Sequence, residues 1–224
     1  MELSQEEKER YRHAILTDKR WGTKLLLDLE KEDHQRFLQV CYQLADDPSY
    51  SVRWKVLALL GQKGDRGDAQ AEAKAVEALA IPELVDVALS ALGWVGTSTV
   101  LSTLFSYAQA GVPEGVRAVR RQVVKEEDTQ TLVQLARQFI TSPIYALREE
   151  ALVVLTRLSS AEKEADYLLE AARLYYDELV LDVLGDATAK VLPALEKLQA
   201  NFPVASAQYE DIQHAITRIK QRQV

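Results

Sequence analysis

The chain has 224 residues, with 27 basic and 34 acidic side chains and a formal net charge of −7. This acidic balance argues against nucleic-acid binding, because neutralising phosphates requires an excess of Lys and Arg. The first residues are charged and no run approaches the roughly 18 apolar residues of a membrane span, so we expect a cytoplasmic protein without membrane contact. Its one cysteine, Cys41, excludes an intramolecular disulfide and a thiolate zinc cage.

The N-terminal segment predicts two helices with a mostly polar outer surface. Ser4 and Glu7 have the spacing of a capping box, which marks the start of the first helix. In the second, Phe37, Cys41 and Leu44 recur at spacings of three and four, so the helix is amphipathic. We expect residues 1–46 to form a capping pair at one end of a longer helical array.

Prolines mark a repeat in the centre of the chain. Pro48, Pro82, Pro113 and Pro143 are separated by 34, 31 and 30 residues, and each precedes an apolar helical stretch. A short polar turn and a second amphipathic helix follow each stretch, which predicts helix pairs of roughly 30 residues. Further helix starts are predicted from the capping patterns at Asp47-Pro48, Ser142-Pro143 and Ser159 with Glu162.

A fifth pair is predicted to begin near Asp177. The segment from Glu178 to Leu184 is apolar enough for a strand, but no second strand-like run could pair with it, so we expect a buried helix. A final helix from Ser206 is predicted to cap the C-terminal end. The elements together predict an all-α chain in a single domain over 1–224, with central repeats over 47–200 and a capping helix over 206–224.

Part of the repeat carries a more specific pattern. The segment Asp47–Gly61 combines Asp-Pro, Val-Arg and Leu-Gly, and fragments recur at Leu92-Gly93, Val116-Arg117, Leu147-Arg148 and Leu184-Gly185. This pattern resembles the HEAT repeat, in the short form of phycobilisome-lyase-like bacterial proteins, over about Asp33 to Gln199. Other units depart from it, since Thr156 replaces the glycine of the fourth. The resemblance implies a right-handed, armadillo-like α-solenoid of about six helix pairs, whose second helices line a concave binding face.

No pattern indicates catalysis, a cofactor or a metal. His13, His34 and His214 lie far apart without metal-ligand spacing, and we expect them to be exposed. The glycines of Gly61–Gly67 lack the strand and the Lys-Ser/Thr order of a phosphate loop. Cys41, on an apolar helix face, is expected to be a packed core thiol. We therefore predict a protein without enzymatic activity and without a cofactor.

Residues off the apolar stripes of the second helices are the candidates for partner binding. The predicted partner-binding residues are Tyr42, Lys74, Tyr107, Gln134, Arg137, Arg173, Arg117 and Arg121. The two tyrosines fit anchoring of a partner and packing between repeats equally well. Arg117 and Arg121 share a basic stripe with Arg120 and Lys125, which either grips an acidic partner or is a solvated face. The tryptophans, which serve either as anchors or as buried packing residues, are Trp21, Trp54 and Trp94.

Three arginines recur at corresponding repeat positions, Arg53, Arg117 and Arg148. We expect them to be structural, because an arginine here can reach a turn carbonyl or carboxylate of a neighbouring unit, with Asp47 as one candidate acceptor.

The predicted function is that of a scaffold or adaptor that binds a protein or peptide. Two alternatives share the helical repeat build. A HEAT-like DNA glycosylase acting on alkylated DNA would need a basic groove, which the acidic composition disfavours. A phycobilin-lyase-like chromophore chaperone is suggested by repeat type alone.

Overall fold

The computed structural model describes residues 3–17 and 23–222. These residues form helices, turns and loops and contain no strand, so the prediction of an all-α fold is confirmed. The α-helices among them are α1 (Gln5–Thr17), α2 (Lys24–Glu32), α3 (His34–Leu44), α4 (Tyr50–Lys63), α5 (Ala69–Ala78), α6 (Val85–Val95), α7 (Leu101–Gln109), α8 (Pro113–Gln122), α9 (Glu126–Phe139), α10 (Tyr145–Leu158), α11 (Ala165–Tyr175), α12 (Glu178–Leu184), α13 (Leu192–Gln199) and α14 (Ala207–Gln221).

The contacts divide the chain into two compact units. The first contains the chain up to Ala110 together with Arg117–Val123, and the second contains Gly111–Val116 together with the chain from Val124 onward. In the first unit, α4 packs against both α5 and α6, and α3 packs against both α4 and α5. In the second, α12 packs against both α11 and α14, and α13 against both α11 and α14. Each unit thus contains contacts between consecutive helices and contacts between helices that are two apart in the chain.

Several predicted helix starts agree with the structure. The Ser4 and Glu7 pair forms a capping box, with Glu7 N–H donating to Ser4 Oγ at 3.2 Å and Ser4 N–H donating to Glu7 Oε2 at 3.0 Å. The apolar segment Glu178–Leu184 is a helix, with Val180, Leu181 and Leu184 buried. Ser206 accepts a hydrogen bond from Tyr209 N–H and caps α14 as predicted.

Other capping predictions were wrong. The Ser159 hydroxyl donates to the Glu164 carboxylate at 2.6 Å, and α11 begins only at Ala165, so Ser159 does not cap a helix. The side chains of Asp47 and Ser142 accept from the amides two residues ahead, which form turns before α4 and α10. The local sequence indicated where one helix ends and the next begins, but it did not indicate which side chain caps the turn between them.

The Leu-Gly pairs mark close contacts between helices of the first unit. A Cβ atom on Gly61 of α4 would lie 2.9 Å from the Ala91 Cα of α6, and one on Gly93 of α6 would lie 3.0 Å from Ala118 Cα. Real Cβ contacts are longer, so glycine allows the helices to approach at these points. Gln122 caps the C-terminal end of α6, because its Nε2 donates hydrogen bonds to the carbonyls of Leu92 and Gly96, both at 2.9 Å.

Arg148 makes contacts that stabilise the fold, as predicted. Its Nη1 donates to the Ser142 carbonyl at 2.9 Å, its Nε lies 3.9 Å from Asp177 Oδ2, and its guanidinium lies 4.2 Å from the Tyr175 ring centre. The carbonyl belongs to the turn before its own helix, and the carboxylate to the N-cap of α12. Asp47, one of the candidate acceptors for the repeated arginines, has its Oδ2 3.1 Å from Arg12 Nε.

Replacing Arg148 by alanine should therefore lower the free energy of unfolding by about 2 kcal/mol, because partly buried acceptors lose a charged donor. Thermal unfolding followed by circular dichroism measures the change. Arg173→Ala is the matched control, since Arg173 is exposed and pairs only with Glu170 of its own helix among the described residues. Equal melting temperatures for the two variants would contradict a structural role for Arg148.

Candidate functional site

Two of the predicted partner-binding residues are engaged inside the first unit. Tyr42 is 5 % exposed and its hydroxyl donates to the Asp68 carboxylate, and burial together with this contact raises the pKa of Tyr42. Lys74 binds the carboxylates of Asp46 at 2.8 Å and Glu77 at 3.0 Å. The structure thus favours the packing interpretation of Tyr42. Tyr107 is half-buried on α7.

The basic stripe is shorter than predicted. Arg117 and Arg121 are half-buried on α8, but this helix ends at Gln122, and Lys125 is the residue before α9. Arg121 lies 4.3 Å from the ring centre of Trp94, a cation–π contact in which the ring remains 52 % exposed. Trp54 is also partly exposed, and Trp21 lies outside the described residues.

The remaining predicted residues meet in the second unit. A groove of about 660 Å³ lies beside α9 and α11 and is lined by Gln134, Arg137, Gln138, Thr141, Asp166, Tyr167 and Glu170. We call it the α9–α11 groove. Arg173 does not line the groove, but its guanidinium binds the lining residue Glu170 at 2.8 Å. Of the eight predicted partner-binding residues, Gln134 and Arg137 line this groove, and Arg173 pairs with one of its lining residues.

Amphipathic patterning explains why these side chains face the groove. The buried residues of α9 are Leu132, Val133 and Ala136, which leaves Gln134 and Gln138 on the exposed side. The buried residues of α11 are Leu168, Ala171 and Ala172. Tyr167 and Glu170 therefore lie on the opposite, exposed side.

An ion pair between the half-buried Arg137 and the buried Glu164 anchors the groove. Arg137 Nε and Nη2 each donate to an oxygen of Glu164 at 2.8 Å, a two-pronged geometry that fixes both groups. Glu164 is fully buried and also accepts from Ser159, and the hydrogen bond from Arg137 is the main cause that lowers its pKa. The Arg137 guanidinium lies 5.4 Å from the ring centre of Tyr167. Arg137 thus supports the tyrosine at the groove wall.

Two tyrosines at the groove were missed by the sequence predictions. Tyr167 is 42 % exposed, and Tyr175, at the end of α11, is 37 % exposed. The Tyr175 hydroxyl donates to the carbonyl of Thr141, a groove residue, at 3.0 Å. For Tyr167 the available signal was its position off the apolar stripe of α11, the criterion that selected Gln134 and Arg137 on α9. Tyr175 continues that stripe, seven residues after the buried Leu168, so the same criterion could not have found it.

The histidines and the cysteine lie apart from one another in the described residues. In residues 3–17 and 23–222, no three His, Cys, Asp or Glu side chains group closely enough to hold a metal ion. His13 and His214 are exposed, but His34 is half-buried and stacks on Phe37, so it departs from the predicted exposure. Cys41 is buried, and burial raises the pKa of its thiol, which fits the predicted core role. No helix in this part of the chain combines the length and apolarity needed to cross a bilayer.

Comparisons with protein-family models, curated proteins and solved structures found no match to this chain. The resemblance to HEAT repeats therefore depends on the residue pattern alone, and the function must be inferred from the groove.

Proposed function

We propose that this protein is a non-catalytic scaffold or adaptor that binds a segment of a protein partner in the α9–α11 groove. The observation that carries the proposal is the combination of a partly exposed tyrosine, Tyr167, with the exposed amide side chains of Gln134 and Gln138 along one groove. Tyrosine suits this role because its ring contributes apolar contact area and its hydroxyl a hydrogen bond.

The polar lining fits an extended polypeptide. Gln134 and Gln138 are exposed and lie one helical turn apart, and each amide both donates and accepts hydrogen bonds. Such groups match the alternating N–H and C=O groups of a bound backbone. Asp166 and Glu170 add carboxylates to the lining, which favours a neutral or basic segment over an acidic one.

The pairing of the cations favours a protein over DNA. Arg137 is bound to Glu164, Arg173 to Glu170, and Lys74 to Asp46 and Glu77. A phosphate backbone would have to break these pairs on a chain with net charge −7. This weighs against the DNA glycosylase alternative, while nothing in the groove specifically favours the chromophore chaperone.

As the finer architecture we propose a right-handed α-solenoid of about six HEAT-like helix pairs. Contacts between helices two apart in each unit support it, because stacked pairs require them. The close approaches at Gly61 and Gly93 also support it, since they give the Leu-Gly pairs of α4 and α6 the same physical role.

Site-specific photo-crosslinking tests the binding proposal. With a benzophenone amino acid at Gln134, native cell extract should yield a discrete crosslinked polypeptide. Tyr167→Ala should weaken that partner's affinity about thirtyfold, because loss of a central aromatic anchor costs about 2 kcal/mol. The same probe at Lys197, which is exposed on α13, is the control and should not yield this product.

Two results would overturn the proposal. One is the same product from the Lys197 probe, which would show that contact is not specific to the groove. The other is a mobility-shift complex with alkylated duplex DNA at about 0.15 M salt that disappears on Arg137→Ala, since that result would promote the glycosylase alternative.

A further inference from the structure

The first unit contains a second concavity whose chemistry differs from that of the α9–α11 groove. A cavity of about 700 Å³ lies between α2 and α4, and we call it the α2–α4 pocket. Its apolar lining consists of Leu27, Trp54, Ala58 and Leu59. Its polar lining residues are Thr23, Lys24, Asp28, Lys31, Lys55 and Gln62. A largely apolar concavity of this volume is in the range of small-molecule sites.

The apolar side of the pocket is incompletely covered. Trp54 is 36 % exposed, whereas Val52, two residues earlier on the same helix, is fully buried. Leu27 is half-buried, whereas its neighbour Leu26 packs in the core. The pocket therefore presents an indole and an aliphatic side chain side by side, and burial of such apolar surface by a ligand would be favourable.

The charged side of the pocket is basic within an acidic protein. Three lysines line it against one aspartate, while the whole chain has a net charge of −7. Lys24 binds Asp28 at 3.0 Å, so that carboxylate is already engaged. The Lys55 ammonium donates to the Ile15 carbonyl at 2.8 Å, which orients it and leaves two further N–H groups. Lys31 is exposed at the rim and carries the third positive charge.

We infer that the α2–α4 pocket binds a small amphipathic anion, specifically a carboxylate on an unbroken acyl chain. The acyl chain would lie against Trp54, Leu27 and Ala58, and the carboxylate would contact Lys31 and Lys55. Sugars and nucleotides fit less well, because part of their polar surface would be buried against Leu27, Trp54 and Ala58, which offer it no hydrogen-bond acceptor inside the pocket. This site belongs to the first unit and stands independently of the proposed peptide groove.

Isothermal titration calorimetry with dodecanoate, below its micellar concentration, tests the inference on the full chain. We expect saturable binding of one equivalent, at least tenfold tighter than that of dodecanol or of dodecyltrimethylammonium, which have the same chain with no charge or the opposite charge. Lys31→Glu should weaken dodecanoate binding at least tenfold. Lys125→Glu, the same charge change at another exposed lysine, should leave the affinity unchanged.

Two further variants test the apolar part of the site. Trp54→Ala should weaken binding at least tenfold, and Ala58→Trp should abolish it by filling the cavity, with helix content checked by circular dichroism. Equal affinity for the three compounds would overturn the inference. So would equal losses in Lys31→Glu and Lys125→Glu, or unchanged binding in a folded Ala58→Trp variant.

Discussion

Replacing Gly61 by valine should lower the free energy of unfolding by about 3 kcal/mol, because overpacking of a close helix contact forces the helices apart. A Cβ at this position would lie 2.9 Å from the Ala91 Cα, and backbone atoms cannot move aside as flexible side chains can. Valine adds two further methyl groups to that clash. Urea denaturation monitored by circular dichroism measures the loss as a lower transition midpoint.

The neighbouring substitution Gln62→Val is its control. Gln62 is exposed on the same helix, so valine there tests helix propensity without the contact, at a cost of about 0.5 kcal/mol. If the Gly61 and Gln62 variants lost equal stability, the close approach of α4 and α6 would not depend on glycine.

Removal of the Glu164 carboxylate should have a comparable effect. Glu164→Ala leaves Arg137 without its two-pronged partner and Ser159 without its acceptor. Because the Arg137 side chain is 34 % exposed and can be partly hydrated, the loss is about 2 kcal/mol. Thermal unfolding near pH 7 measures the loss. Glu170→Ala removes the exposed partner of Arg173 and should cost well under 1 kcal/mol. A smaller loss for Glu164 than for Glu170 would contradict the anchoring role.

The same pair gives stability a defined pH dependence. Because the folded-state pKa of Glu164 lies below its ordinary value of 4.5, the unfolded chain takes up the proton first as the pH falls. The contribution of the pair is therefore complete above about pH 4.5 and is lost as the pH falls through the folded-state pKa. We expect the stabilities of wild type and Glu164→Gln to differ most near neutral pH and to converge in acid, and parallel curves would contradict this assignment.

Local signals predicted the helices because proline positions and apolar spacing act within a few residues. They predicted α12 at Glu178–Leu184 against a strand-like composition. Contacts between distant residues were not predictable in the same way. Gln122 bonds to carbonyls of α6, and Ser159 turns to Glu164 instead of capping a helix, since each choice depends on what folding brings nearby.

The candidate site was predictable only in part, for a related reason. The spacing of apolar residues identified Gln134 and Arg137 as surface residues of α9, but it could not show that α11 lies beside them. Tyr167 and Tyr175 were therefore missed. For Tyr42 the sequence fitted anchoring and packing equally well, and the structure favours packing, because its hydroxyl donates a hydrogen bond to Asp68 and the residue is buried.

The contact between Arg137 and Tyr167 bears on the rate and affinity with which the groove would bind the proposed partner. An arginine held by two hydrogen bonds has little rotamer freedom left, and the ring it supports is correspondingly preorganised before any partner arrives. Binding then forfeits less side-chain entropy, which in related complexes increases affinity mainly through slower dissociation. A substitution of Glu164 that weakens its hydrogen bonds with Arg137 should thus shorten the lifetime of a complex, even though every side chain that lines the groove is unchanged.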